Sequence, residues 1–311
     1  MNVFFGLDQL PKFHHAVVTI GTFDGVHLGH QVILESLKQR AASIQGETVI
    51  ITFEPHPRFV ISPNQQAISL LNTLDEKIEN LRIAGIDNVV IVEFTKAFAA
   101  LEATDYIKHF LVEKFNPHTI IIGYDHQFGK NRQGNFQLLE SMKHTYHFAL
   151  EEIPMQLIAQ NKISSTQIRE ALQSGDVRKA ALYLGKKYSI QGTVIEGRKQ
   201  GRTLGYPTAN LHIEEPFKLI PAQGVYAVYA SVGEQVFKGM LNIGTNPTFT
   251  DHNQVHIEVH IFNFDQNIYG EKVKLIFVEK MRDEIKFESL AQLIEALDAD
   301  KQHALNLLQN D

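Results

Sequence analysis

The sequence predicts an α/β chain in two parts: an amino-terminal doubly wound parallel sheet, then an antiparallel β-barrel that ends in a helix. Three observations carry this expectation. Up to about residue 184, apolar β-rich runs alternate with stretches of helical period. Beyond that point strand-like runs follow one another across turns, with no helix between them. The segment from about Ser289 to Leu308 then carries Leu290, Leu293, Ile294 and Leu297 on one helical stripe.

In the first part the expected strands are Ala16–Ile20, Thr48–Phe53, Val89–Phe94, Thr119–Gly123 and His147–Ile153. Between them Gln31–Ala42 places Val32, Ile33 and Leu37 at helical spacing. Leu74–Ala84 does the same with Leu74, Ile78 and Leu81, and Gly85 is a natural C-cap. A third helix is expected over about Thr104–Phe115. Strands separated by helices of this length form βαβ units, and such sheets bind ligands at the carboxyl ends of their strands. In the second part Ser189–Ile195, Gly224–Ser231, Val236–Ile243, Val255–Phe264 and Lys272–Val278 read as strands. The polar Gly185-Lys186-Lys187 is the expected join, giving domains of 1–184 and 185–311.

Bulk properties limit the chemistry. The chain has 311 residues, 44% of them apolar and 21% charged, as in a soluble globular protein of two domains. It has no cysteine, which removes disulfides, thiolate metal sites and thiol nucleophiles, and fits a reducing cytoplasm. Met1–Phe13 has no signal-peptide pattern, and no apolar run reaches the ~20 residues of a membrane helix. Residues 1–185 hold 16 Lys+Arg against 19 Asp+Glu, and residues 186–311 hold 13 against 16, so each part stands at −3. Neither has the basic excess of a nucleic-acid binder. Small nucleotides, held by local positive charge, are the expected partners.

The segment Gly21-Thr22-Phe23-Asp24-Gly25-Val26-His27-Leu28-Gly29-His30 follows the first strand and opens the first helix. Its glycines permit close backbone approach to a ligand, and the helix start offers N–H groups and a positive dipole end to a polyphosphate. His27 and His30 are spaced to donate to phosphoryl oxygens that gain charge during transfer. Read alone, the pair serves equally as two capping histidines on a glycine turn. At the far end of the same part, Ser164-Ser165-Thr166 gathers three hydroxyls at a helix start, with Arg169 one turn later. Alone this is an N-cap; beside the histidines it reads as a second phosphate clamp.

In the second part Gly192-Thr193-Val194-Ile195-Glu196-Gly197 precedes Gly201-Arg202-Thr203-Leu204-Gly205-Tyr206-Pro207-Thr208-Ala209-Asn210. No Gly-Lys-Ser/Thr follows the glycines, so this is not a Walker A loop. The glycines bring backbone N–H groups toward phosphates, with Arg198, Lys199 and Arg202 adding charge. Pro207 fixes the backbone before Thr208, whose hydroxyl, with the Asn210 amide oxygen, suits a hard cation such as Mg²⁺.

These segments resemble known families. The first pair is similar to the His-x-Gly-His nucleotidylyltransferase superfamily, and specifically to the Rossmann-like adenylyltransferase module of prokaryotic FAD synthetases. Phe53-Glu54-Pro55-His56-Pro57-Arg58 and Gly123-Tyr124-Asp125-His126-Gln127-Phe128-Gly129 match further segments of that module, with His126 in place of the usual aromatic. The glycine–proline stretch resembles the riboflavin kinase signature. Its base would be Glu258 in Ile257-Glu258-Val259, ahead of Tyr269-Gly270, with Asn263 and Asn267 where relatives often carry acids. Met281–Phe287 resembles the segment near the flavin. The likeness covers about residues 14–300, with both domains in order.

What the resemblance implies is a bifunctional riboflavin kinase/FMN adenylyltransferase. Its substrates would be ATP with Mg²⁺, riboflavin and FMN, and its product FAD. Glu258, His27, His30 and Arg169 would be catalytic. Gly21, Phe23, Asp24, Gly25, Ser164, Ser165 and Thr166 would bind ATP in one domain, and Gly197, Arg202, Gly205, Thr208 and Asn210 in the other, with Thr208 and Asn210 on the metal. His56, Asp125, Phe128, Arg282 and Glu284 would lie toward the flavin. The rival is another His-x-Gly-His transferase with a flavin-binding regulatory barrel, against which the Arg202–Asn210 loop argues.

Overall fold

Val17–Ile20 (β2) and Thr48–Glu54 (β3) are apolar on both faces, which suits a parallel sheet covered on both sides. In the computed structural model they form its centre. Residues 1–62, 68–154, 163–197, 201, 204–245 and 255–309 are described. Four more strands complete a six-stranded parallel sheet: Asn2–Phe5 (β1), Asn88–Glu93 (β4), Thr119–Gly123 (β5) and Ala149–Ile153 (β6). The order is β1-β4-β3-β2-β5-β6. Sequence order therefore reverses between β2 and β5, and a crevice opens there at the strands' carboxyl ends. The glycine–histidine segment leaves β2 at that point. Alternate residues feed two cores: Val18, Val49, Ile51 and Phe53 pack with Phe110 and Phe115 on one face. Val17, Ile50, Val89 and Ile91 pack with Leu34, Leu37 and Leu81 on the other.

The helices follow local signals. Leu28–Ser43 begins at His27, and Leu74–Ile83 begins at a full capping box between Thr73 and Glu76. The expected third helix is present but underwound at its middle, with a π-helical run over Tyr106–Val112 between helical turns. That bulge buries Tyr106, Ile107, Phe110 and Leu111 together. β1 was not expected from the sequence. It is four residues long and, among the described residues, pairs only with β4 at the sheet edge.

The barrel is closed in the order β10-β11-β8-β7-β12-β9, antiparallel throughout. Its strands are Ser189–Ile195 (β7), Ala209–His212 (β8), Gly224–Val232 (β9), Gln235–Thr245 (β10), Val255–Ile261 (β11) and Lys272–Arg282 (β12). β8 lies at the end of the glycine–proline stretch, where a motif rather than a strand was read. The Leu290–Leu307 helix packs on β9, β10 and β12 through Leu297, Ala304, Leu305 and Leu308. Among the described residues, no helix is long and apolar enough to cross a membrane.

The chain separates into two compact units, 1–165 and 166–311. The helices Ser165–Gln173 and Val177–Leu184 thus fall almost wholly with the barrel. Ala222 donates its amide to the Leu172 carbonyl at 3.0 Å, and Arg178 pairs with Glu279 of β12 at 3.2 Å. A barrel fragment beginning at residue 166 is expected to unfold several degrees above one beginning at residue 185. Thermal unfolding of the two fragments, followed by circular dichroism, checks this.

Candidate active sites

The loop leaving β2 is strained. Phe23 and Val26 have φ of 48° and 43°, in a region that a β-branched residue rarely occupies. Buried contacts hold it there. Asp24, 3% exposed, accepts the amides of Leu71 and Asn72 on Oδ1 at 2.9 and 3.2 Å. The Asp24 carbonyl accepts from Ser165 Oγ at 3.0 Å, so the two motifs separated by most of the unit's sequence meet. The position of Ile163 reinforces this: its carbonyl oxygen would lie 3.4 Å from a Cβ added at Gly29.

His27 is the N-cap of its helix, and its Nδ1 accepts the His30 amide at 3.4 Å. A neutral ring that accepts on Nδ1 carries its proton on Nε2, as a donor. The two imidazoles stack, with centroids 3.7 Å apart, and Phe23 lies 5.1 Å from His30. The capping and the stacking are one arrangement. His30 Nδ1 is buried with no partner among the described residues. Burial, then the charges of His27 and Lys77, hold the His30 pKa well below the ordinary histidine value. At neutral pH its ring is therefore uncharged. Ser164 and Thr166 are exposed, and Arg169 is half-buried one turn into the helix that Ser165 begins.

The residues expected toward the flavin in this unit differ in their settings. His56 is buried and caps the short Pro57–Ile61 helix by accepting the Arg58 amide at 3.2 Å. Asp125 is exposed. Phe128 is 5% exposed in the core, stacked on Tyr106 with centroids 4.8 Å apart. His126 packs beside it, with Nε2 enclosed and without a partner.

In the barrel, strand register builds the site. Glu258 of β11 stands opposite Asn210 of β8 on one side and Asn242 of β10 on the other. Directly paired residues share a face, with Cβ atoms about 5 Å apart. Ile257, Val259 and Leu241 alternate with them into the buried interior, so this polar row lies on the outer surface. Asn242 donates to Glu284 Oε1 at 3.2 Å, and the Glu284 carboxylate lies so close over Gly244 that any Cβ there would overlap it. Gly197 likewise abuts the Asn210 amide, where a side chain would not fit. Asn242 was missed from the sequence. Only the register across two hairpins shows it beside Glu258.

Pro207 and Thr208 are fixed from behind. His260 Nδ1 bonds the Pro207 carbonyl at 2.7 Å, and Tyr206 bonds Asp298 of the last helix through its hydroxyl. Thr208 and Asn210 supply neutral oxygens beside one carboxylate. That set suits Mg²⁺ brought in with nucleotide phosphates, since this ion keeps few protein ligands. Among the described residues, no cluster of histidine and carboxylate side chains would hold a metal by itself. Arg282 is committed to Asp300 of the last helix, with Nη2 at 2.7 Å and Nε at 3.0 Å from its carboxylate. Glu284 is exposed and Gly205 lies in an exposed turn with φ of 80°. Arg202, Arg198 and Lys199 lie outside the described residues. Asn263 takes a left-handed φ of 54°, and the Asn267 side chain accepts the Tyr269 amide, so both serve turns.

Residues 10–167 match the family model described as FAD synthetase, and residues 184–308 the one described as riboflavin kinase. A bifunctional riboflavin kinase/FMN adenylyltransferase of Listeria monocytogenes is 38% identical over 92% of this chain and 90% of its own length. The protein of that name from Haemophilus influenzae is 39% identical over 92% of each chain. A solved structure from Streptococcus pneumoniae, named a macrolide-efflux protein, aligns with a TM-score of 0.87 at 30% identity. It covers 98% of this chain and 99% of its own.

Burial pushes the His126 pKa from 6.5 down to about 4, against the opposing charge of Asp125. The unfolded chain then binds the extra proton. The stability from neutral His126 is complete above about pH 6.5 and is lost as pH falls toward 4. Relative to the wild type, His126→Phe should gain up to about 3 kcal/mol between pH 7 and pH 4. Denaturant midpoints at the two pH values measure it.

Proposed function

This chain belongs to the bifunctional riboflavin kinase/FMN adenylyltransferase family, and from that premise we propose which of its residues carry each reaction. The protein phosphorylates riboflavin to FMN and then adenylylates FMN to FAD, using ATP in both steps. Catalytic labour divides at about residues 184 and 185, and the enzyme works in the cytoplasm on small molecules alone.

In the barrel Glu258 is the general base. It accepts the proton of the riboflavin 5′-hydroxyl as that oxygen attacks the γ-phosphorus of ATP and ADP departs. The observation that carries this reading is the row Asn210–Glu258–Asn242, which holds the carboxylate between two amides on an open face. Thr208 and Asn210 bind Mg²⁺ with ATP, and the ion neutralises phosphate charge when bound. Gly197, Arg202 and Gly205 line the phosphates. Glu284 borders the flavin, and Arg282 holds that border in place through Asp300.

In the parallel-sheet unit an FMN phosphate oxygen attacks the α-phosphorus of ATP, and pyrophosphate leaves. His27 and His30 donate to the phosphoryl oxygens as charge builds there. Gly21, Phe23 and Gly25 form the loop, and Asp24 fixes it. Ser164 and Ser165 are assigned to the polyphosphate, and Thr166 and Arg169, which fall with the barrel unit, keep the assignment made on motif resemblance alone. His56, Asp125 and Phe128 keep their assignment to the flavin end, with Phe128 acting through the packing behind it.

Two substitutions separate the reactions. Glu258→Gln keeps size and hydrogen bonding but cannot take the proton, so the kinase step should fall by about 10²–10⁴. Adenylylation of supplied FMN should stay at the wild-type rate. His30→Ala should reverse the pattern, slowing FAD formation by about 10²–10³ and sparing the kinase. Steady-state rates with riboflavin or FMN as sole flavin decide both. A Glu258→Gln enzyme with normal kinase turnover would return Glu258 to an ordinary strand position.

A further inference from the structure

Lys77 is 5% exposed in the Leu74–Ile83 helix. Lysines are seldom this buried unless they are paired. Its ammonium has three donors, yet among the described residues it makes one long hydrogen bond, 3.4 Å to Thr52 Oγ1. Thr52 in turn donates to the Thr22 carbonyl of the glycine loop at 3.3 Å. Lys77 therefore stands behind that loop, at the carboxyl end of β3. Two carboxylates act on it through space, Glu54 and Asp24, but Asp24 Oδ1 is already engaged by two amides.

The helix carrying Lys77 is placed by the same loop. The Leu71 and Asn72 amides held by Asp24 directly precede its cap at Thr73. The charge of Lys77 reaches His30, whose buried Nδ1 has no partner among the described residues. An under-bonded ammonium and an orphaned imidazole nitrogen, both buried, thus border one loop and helix start suited to phosphate. We propose that Lys77 is a phosphate-binding residue of the adenylyl-transfer site and donates to the pyrophosphate end of ATP. This rests on the assignment of His27 and His30 to that step.

The chemistry gives the cation its task. As the α–β phosphoanhydride bond breaks, its electron pair goes to the departing pyrophosphate. A donor already desolvated and held meets that charge without reorganisation. Burial lowers the Lys77 pKa, with Glu54 and Asp24 opposing, and an arriving polyphosphate restores the charged form. The competing reading makes Lys77 only a counter-ion of Glu54 and Asp24.

The test uses the full-length enzyme and runs the step in both directions. In reverse, a pyrophosphate oxygen attacks the AMP phosphorus of FAD, giving ATP and releasing FMN. For Lys77→Met and Lys77→Gln, FAD formation should fall about 10²-fold and the KM for inorganic pyrophosphate should rise about tenfold or more. The KM for FAD should change little, and riboflavin phosphorylation should not change. A counter-ion role would lower the thermal midpoint and leave the pyrophosphate KM alone. That result, measured where circular dichroism shows the variant folded, overturns the proposal. If His30→Ala also leaves adenylylation intact, the placement of the step itself fails. If His30→Ala is impaired and the Lys77 variants are not, only the role of Lys77 fails.

Discussion

The amino-terminal site depends on one buried carboxylate. Asp24 has its side chain on two adjacent amides and its carbonyl on the Ser165 hydroxyl, so it ties two distant stretches of chain to the turn after β2. Without such ties the positive φ values of Phe23 and Val26 would relax, since each costs about 1–3 kcal/mol. With them, the loop, the first histidine and the hydroxyl-rich helix start are fixed before any nucleotide arrives. A transferase that stabilises charge on phosphoryl oxygens gains most from donors that need not move.

The barrel reaches the same end by different means. Its donors come from strands, and register across β8, β11 and β10 places Asn210, Glu258 and Asn242 side by side. The final helix supplies the second support. Asp298 and Asp300 hold Tyr206 and Arg282, at the two ends of the site, while His260 pins Pro207. Arg282, read from its motif as a flavin contact, is instead held by Asp300 of the final helix.

Much of this was legible in the sequence, and the residues show why the rest was not. Alternation of apolar runs and helix periods revealed the doubly wound sheet, because parallel strands buried on both faces are continuous apolar segments. β1 and β8 escaped, each four residues long, one at an edge and one inside a signature loop. The π-helical run at Tyr106 leaves no mark on a 3.6-residue period that short. Candidate site residues were read where a motif packed unusual types together, as in Gly201–Asn210. Asn242 and Lys77 were not, because nothing in their local sequence sets them apart. One is defined by strand pairing, the other by burial, and both arise only when the chain is folded.

The two sites share a nucleotide but break different bonds in it. The kinase step severs the β–γ linkage and leaves ADP. The adenylyl transfer severs the α–β linkage and leaves pyrophosphate. Donors placed for one leaving group stand about one phosphate away from where the other needs them, and a positioned donor loses its value over such a distance. One pocket could not serve both reactions without moving its donors. Two sites on unlike folds remove that conflict. The two-domain chain is thus a consequence of where ATP must be cut.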